Sequence, residues 1–271
     1  MYTVFRDWME RLAESRGAEP EWPLLLADAL EHAFDREAGV PPPYGGEVFK
    51  DRDEFDAEHY AHVDREQGSG ATENATTYAL YYRCHFGNKW CEGSQGCLTI
   101  GDERFWLLGF QWPTCCGESD LAGLEADGGL AVFECKGSRN ATDSPLVAVL
   151  KALHYLRCHT CSGDFANIVG GFRKWKAKLQ QTGRVPRGFE AVEPTLGATH
   201  RAIVLAPTEY YNFHDRSRRS LAGVEGGWRR FSEAVSRRGR SVSMGFAVSS
   251  LIRTTRAEWL RPSPLPDSWL V

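Results

Sequence analysis

Long apolar runs are missing from this 271-residue sequence. Nothing in it approaches the ~20 consecutive apolar residues that span a bilayer. Residues 1–16 are amphipathic and lack the apolar stretch of a secretory signal. A membrane-embedded or secreted protein is therefore not expected, and the cytoplasm is the expected location. No Gly-x-Ser-x-Gly elbow is present, so a serine hydrolase of that type finds no support. Phosphate-loop and dinucleotide fingerprints are absent as well. What remains is the composition of a globular protein, 42% hydrophobic and 25% charged, in a chain long enough to bury a core.

Charge is present but unevenly placed. Residues 1–135 hold 10 Lys+Arg against 26 Asp+Glu, and residues 136–271 hold 22 against 10. The halves therefore carry −16 and +12, hidden beneath a net charge of −4. A basic half suits a polyanionic partner, because Lys and Arg neutralising phosphates dominate nucleic-acid affinity. Its basic residues are clustered: Arg173-Lys174-x-Lys176-x-Lys178, Arg216-x-Arg218-Arg219, Arg229-Arg230 and Arg237-Arg238-x-Arg240. A solvated face accounts for any one cluster. The acidic half could instead attract the basic half, or face a basic protein partner.

The boundary between the halves falls on the chemically most informative stretch. Gly117-Glu118-Ser119-Asp120-Leu121 and Val132-Phe133-Glu134-Cys135-Lys136-Gly137 read as two strands joined through Asp127-Gly128-Gly129, a β-hairpin. Period-two alternation places Glu118 with Asp120 on one face, and Glu134 with Lys136 on one face, while Phe133 and Cys135 point into a core. Only an odd-length loop or a bulge brings Asp120 onto the face of Glu134 and Lys136. A three-residue loop would set Asp120 opposite Lys136, and a two-residue turn would set it opposite Cys135. Two carboxylates suit Mg²⁺ or Mn²⁺, and a lysine beside them can position water and neutralise developing phosphate charge. A solvated hairpin face would show the same alternation.

Asp120, a hairpin turn and then Glu134-x-Lys136 together resemble the signature of the PD-(D/E)XK nuclease superfamily. The Glu118-x-Asp120-Leu121 strand before Phe133-Glu134-Cys135-Lys136 is most similar to its Holliday-junction-resolvase-type branch. No proline precedes Asp120. The resemblance covers about twenty residues. It implies an α/β, restriction-endonuclease-like mixed sheet flanked by helices. It also implies a Mg²⁺- or Mn²⁺-dependent nuclease acting on DNA, with Asp120 and Glu134 as metal ligands, Lys136 as the catalytic lysine and Glu118 as an accessory. A carboxylate from an upstream helix often joins such sites, and Glu73 is the candidate. Expected partners are DNA, a protein contacting the acidic half and a second copy of the chain in a homodimer. A protein that binds nucleic acid or serves assembly without catalysis is the alternative.

Around the hairpin, helices are expected over residues 3–15, 23–37, 146–157, 164–181 and 221–238, and strands over 105–110, 201–206 and 241–249. Residues 72–86 fit either. Residues 1–70 form an acidic, mostly helical N-terminal region, and 71–271 the nuclease-like domain. The aromatic run before Arg216 reads as a packed loop or a clamp for an unpaired strand, and His154 and His159 as ordinary or site-lining residues. The eight cysteines, without a secretory signal, argue for thiols or metal ligands and against a disulfide scaffold. Cys84, Cys91, Cys97, Cys158 and Cys161 could hold Zn²⁺, or an iron–sulfur cluster as some members of the resembled superfamily do. Only Cys158-x₂-Cys161 has tight ligand spacing, and buried free thiols are the competing expectation.

Overall fold

The structure, a computed structural model, describes residues 44, 49, 73–86, 96–114, 117–138, 143, 145–160, 162–216, 242–249 and 255–260. The expected helices over residues 3–15, 23–37 and 221–238 lie outside these, as do Cys91, Cys161 and the basic clusters from Arg218 to Arg240.

Within the stretch 72–86, ambiguous between helix and strand, Glu73–Phe86 form helix α1. Its buried Leu80, Tyr81 and Cys84 recur at helical spacing on one side. Strands β1 (Cys97–Ile100), β2 (Glu103–Thr114), β3 (Gly117–Leu124) and β4 (Leu130–Cys135) follow as an antiparallel meander. After β4 the chain changes habit. Helices α2 (Pro145–Thr160) and α3 (Ser162–Gln181) carry it to β5 (His200–Ala206), and helix α4 (Thr208–Arg216) precedes β6 (Val242–Val248). Strands β4, β5 and β6 are mutually parallel. Strand β7 (Arg256–Trp259) returns antiparallel to β6.

That last strand overturns the expected architecture. Strand β7 pairs β6 through Ala247 with Trp259, and pairs β1 in parallel through Thr99 with Arg256 and Ile100 with Ala257. Seven strands thereby close into a barrel in sequence order, so an open, restriction-endonuclease-like mixed sheet flanked by helices is not the fold. The closing segments β1 and β7 are four residues each. Strand β7 alternates polar and apolar residues, but four positions are too few for either segment to stand out as a strand in sequence, and each is held by its neighbours. Closure also needs local close approach. A Cβ on Gly245 would lie 2.5 Å from the Trp259 ring, so the absence of a side chain there lets the closing strand seat. A bulge between Leu107 and Gly109 bends β2 where it pairs with β3.

The barrel wall separates two cores. On one side Trp106, Leu108 and Trp112 of β2, Ala122 and Leu124 of β3, and Leu130 and Val132 of β4 meet Val149, Leu150, Leu153 and Leu156 of α2 and Phe165, Ile168 and Phe172 of α3. On the other, Phe105, Leu107, Leu121, Ala131, Phe133, Cys135, Ile203, Leu205 and Ala257 face one another with Leu80, Tyr81 and Cys84 of α1. Gly170-Gly171 does not interrupt α3. A Cβ on Gly171 would stand 2.8 Å from the Phe49 ring, which lies edge-on to Trp112 at 4.9 Å. The glycine admits an aromatic ring from the N-terminal region onto this core.

The hairpin loop has five residues, 125–129, between Leu124 and Leu130, which pair with each other. The Gly129 N–H donates to Asp127 Oδ1 at 2.8 Å, and Gly128 takes φ 89°, a conformation suited to glycine. The loop is odd, as the shared face requires, but longer than Asp127-Gly128-Gly129 alone. A Cβ on Gly129 would lie 2.0 Å from the Thr199 carbonyl oxygen. Gly129→Ala is therefore expected to lower stability by about 2 kcal/mol in urea unfolding, through forced displacement of backbone. An unchanged midpoint would mean that the loop has room to yield.

Candidate active site

Parallel strands β4, β5 and β6 end together, and the crevice beyond the carboxyl ends of parallel strands is where side chains from several elements can converge. Leu130 and Val132 place alternate residues of β4 on the helix-covered face, and Glu134 continues that row at the strand's end. The Lys136 N–H donates to the Leu205 carbonyl at 3.0 Å. This extends the β4–β5 ladder one step and returns the Lys136 side chain to the same face. Both are deeply placed, Glu134 at 6% exposure and Lys136 at 3%.

The pairings Leu121 with Phe133 and Ala122 with Val132 set the register, whose next position brings Asp120 opposite Glu134. Asp120 thus shares its face, two residues away from the partner that a three-residue loop would have chosen. Its Oδ2 accepts the Cys135 N–H at 2.7 Å. Lys136 Nζ lies 2.8 Å from Glu134 Oε1, 3.1 Å from Asp143 Oδ2 and 3.7 Å from Glu73 Oε2. Asp143, just before α2, also accepts from Lys151 Nζ at 2.5 Å. Glu73, the first residue of α1, accepts the Gly137 N–H at 3.0 Å through Oε1. The Tyr210 hydroxyl donates to the Asp143 backbone carbonyl at 2.7 Å.

Four carboxylates therefore surround two ammonium groups, an excess of negative charge in a largely desolvated place. Burial, and then the charge of Glu134, push the Asp120 carboxyl up to about 7, with Glu73 adding to the rise and Lys136 and the Cys135 N–H opposing it. Burial raises Glu134 too, against the pull of Lys136. Burial alone would weaken protonation of Lys136, but Glu134, Asp143 and Glu73 more than reverse this and hold it cationic. Asp143 behaves differently. Burial would raise it, yet its contacts with Lys151 and Lys136 keep it below the ordinary carboxylate range. The carboxylate without an ion pair among the described residues is Asp120.

Hard carboxylate oxygens on facing strands suit Mg²⁺ or Mn²⁺, which binds through one or two carboxylates, water and phosphate. Asp120 and Glu134 fit that requirement. Among the described residues, no group of three or more His, Cys, Asp or Glu side chains is arranged to hold a metal ion, and Glu134, Asp143 and Glu73 are paired with Lys136.

The remaining expected residues that the structure describes are scattered. Glu118 is exposed on β3 beside Pro113 of β2, and it makes no hydrogen bond or ion pair among the described residues. Cys84, Cys97 and Cys158 are buried and outside disulfides, and Cys84 and Cys97 belong to opposite cores. Burial pushes His159 down to about 3, and its ring meets Trp112 edge-on at 6.0 Å. Of the basic cluster on α3, Arg173 is paired with Glu193 at 2.7 Å and Lys176 donates to the Val192 carbonyl at 2.7 Å. Lys174 and Lys178 are exposed.

Sequence reasoning missed Asp143, Lys151 and Tyr210. Asp143-Ser144-Pro145 offered one signal, a polar segment leading into a helix that follows the Glu-x-Lys strand. Nothing local marks Tyr210, which reaches Asp143 across 67 residues of chain. Compared with family models, curated proteins and solved structures, the chain matches none.

Proposed function

We propose that this protein is a divalent-cation-dependent deoxyribonuclease that hydrolyses DNA phosphodiester bonds. The observation that carries this is the facing pair Asp120 and Glu134 at the end of β4, with Lys136 beside them and more carboxylate than ammonium around it. Asp120 and Glu134 would hold the cation, which would supply Lewis acidity towards a phosphoryl oxygen and a more acidic water. The chain's own groups prepare the place. The Cys135 N–H fixes the Asp120 carboxylate, and Lys136 fixes Glu134. Because Lys136 stays cationic, it serves as a fixed positive charge behind the site carboxylates and not as a general base. The order Asp120…Glu134-x-Lys136 supports phosphodiester chemistry by its resemblance to PD-(D/E)XK nucleases, a resemblance of residues and not of architecture. The basic second half, with 22 Lys+Arg against 10 Asp+Glu, favours a polyanionic substrate.

A non-catalytic nucleic-acid-binding protein is the second possibility, and one observation favours it: the Lys136 ammonium is enclosed by three carboxylates, as in a structural ion network. Incubation of wild type and Asp120→Asn with supercoiled plasmid and single-stranded DNA separates the two. Catalysis predicts cleavage by wild type in Mg²⁺ or Mn²⁺, its loss in EDTA, and at least a hundredfold reduction in Asp120→Asn. DNA retained by both proteins and cut by neither assigns the binding role.

A further inference from the structure

The two lysines of the site differ in one respect that bears on substrate. An ammonium has three donors. Lys136 donates to Glu134 at 2.8 Å, lies 3.1 Å from Asp143 and has Glu73 as a third carboxylate at 3.7 Å, and its side chain is 4% exposed. Lys151 shares Asp143 with it, at 2.5 Å, but its side chain is 31% exposed and Asp143 is its sole ion-pair partner among the described residues. Asp143 thus links a sealed cation to an open one, in the order Glu134, Lys136, Asp143, Lys151. A phosphate cannot reach Lys136 without displacing a buried carboxylate. It can reach Lys151 from solvent, using donors that Asp143 leaves over.

We infer that Lys151 is the residue that contacts the DNA phosphate at this site, and that Lys136 acts behind it as the positioning cation for Glu134 and Asp143. This rests on the nuclease reading above and adds a substrate-binding residue to it. The ion pair with Asp143 then has a purpose: it holds a flexible side chain extended towards the end of β4, where Asp120 and Glu134 stand. Lys151 becomes a point contact for one phosphate oxygen, with no means of reading sequence.

The assignment makes a prediction that a merely structural lysine does not. Each phosphate contact made by a cation steepens the dependence of log K on log salt by about 0.7–0.9. In an Asp120→Asn background, which keeps DNA intact, binding to a duplex oligonucleotide is measured at several KCl concentrations and a fixed low Mg²⁺ concentration. Adding Lys151→Gln should weaken binding at low salt and flatten the slope by about one contact, and Lys151→Arg should restore it. Thermal midpoints of the variants should stay within about 3 °C of their parent, since Asp143 retains Lys136. DNA binding with the same affinity and slope in Lys151→Gln overturns the assignment while leaving the nuclease reading intact. A fall in thermal midpoint without a change in slope overturns it in favour of a structural ion pair. No DNA binding and no cleavage by the wild type would overturn both.

Discussion

Replacing Lys136 by methionine is expected to destabilise the protein by about 3–5 kcal/mol in urea unfolding, the usual consequence of removing one partner from a buried ionic group. The side chains of Lys136 and Glu134 are 4% and 8% exposed, so water cannot take the place of the lost ammonium. Glu134, Asp143 and Glu73 would then face one another without their common counter-charge. The methionine keeps the apolar stem, which separates loss of charge from loss of packing. Part of the deficit should be recoverable in two ways. Lower pH protonates the carboxylates, and a divalent cation supplies the missing charge, so the gap between variant and wild type should narrow in acid and in Mg²⁺. A change below about 1 kcal/mol, the level of an exposed ion pair, would show that these carboxylates do not depend on Lys136.

Asp120→Asn should do the reverse: stabilise the fold while removing catalysis. Asparagine can still accept the Cys135 N–H, and it removes a charge that burial and Glu134 both disfavour. The sign follows from linkage. The Asp120 carboxyl is raised from 3.8 to about 7, so between these values the native state binds more protons than the unfolded state and stability falls as pH rises. The variant's advantage should therefore be absent below the unfolded value and complete above about pH 7. Expressed in full, the rise corresponds to about 4 kcal/mol there. Adding Mg²⁺ should raise the melting temperature of the wild type above that pH and leave Asp120→Asn much less changed. A variant that is less stable than wild type at pH 8 would show that the Asp120 charge is compensated in the free protein, and the case for a cation there would fall with it. A stabilising substitution that destroys activity is what a site built for function and against stability should show.

Local patterning carried much of the candidate site. Alternation placed Glu134 and Lys136 together, and the parity of the hairpin loop was the condition for Asp120 to join them. The five-residue loop 125–129 meets that condition with a register two residues from the three-residue alternative, because Asp127 closes on Gly129 inside a longer turn. Glu118 shared the expected face of its strand by the same alternation, yet β3 carries it beyond the end of the site into solvent. Helical periodicity was likewise sufficient for α2 and α3, whose apolar stripes are long. It did not distinguish helix from strand in residues 73–86, where aromatic residues occur on several sides, and it missed α4 beneath the aromatic run 210–213.

The sequence by itself determined the pieces: a polar pair on each strand of a hairpin, a break in charge at Lys136, and the helices that follow. Those features are properties of neighbours along the chain, set by periods of 2 and 3.6 residues. Closure of the barrel was decided only in three dimensions. Strand β7 has four residues, and its pairing with both β6 and β1 depends on Gly245 leaving space for Trp259, a contact that no local pattern encodes. The company of Lys136 was decided in the same way. Glu73 reaches it from the start of α1 and Asp143 from the segment before α2, because both helices begin where the parallel strands end. Burial there strengthens every charge interaction by lowering the local dielectric, which turns residues far apart in sequence into one coupled site.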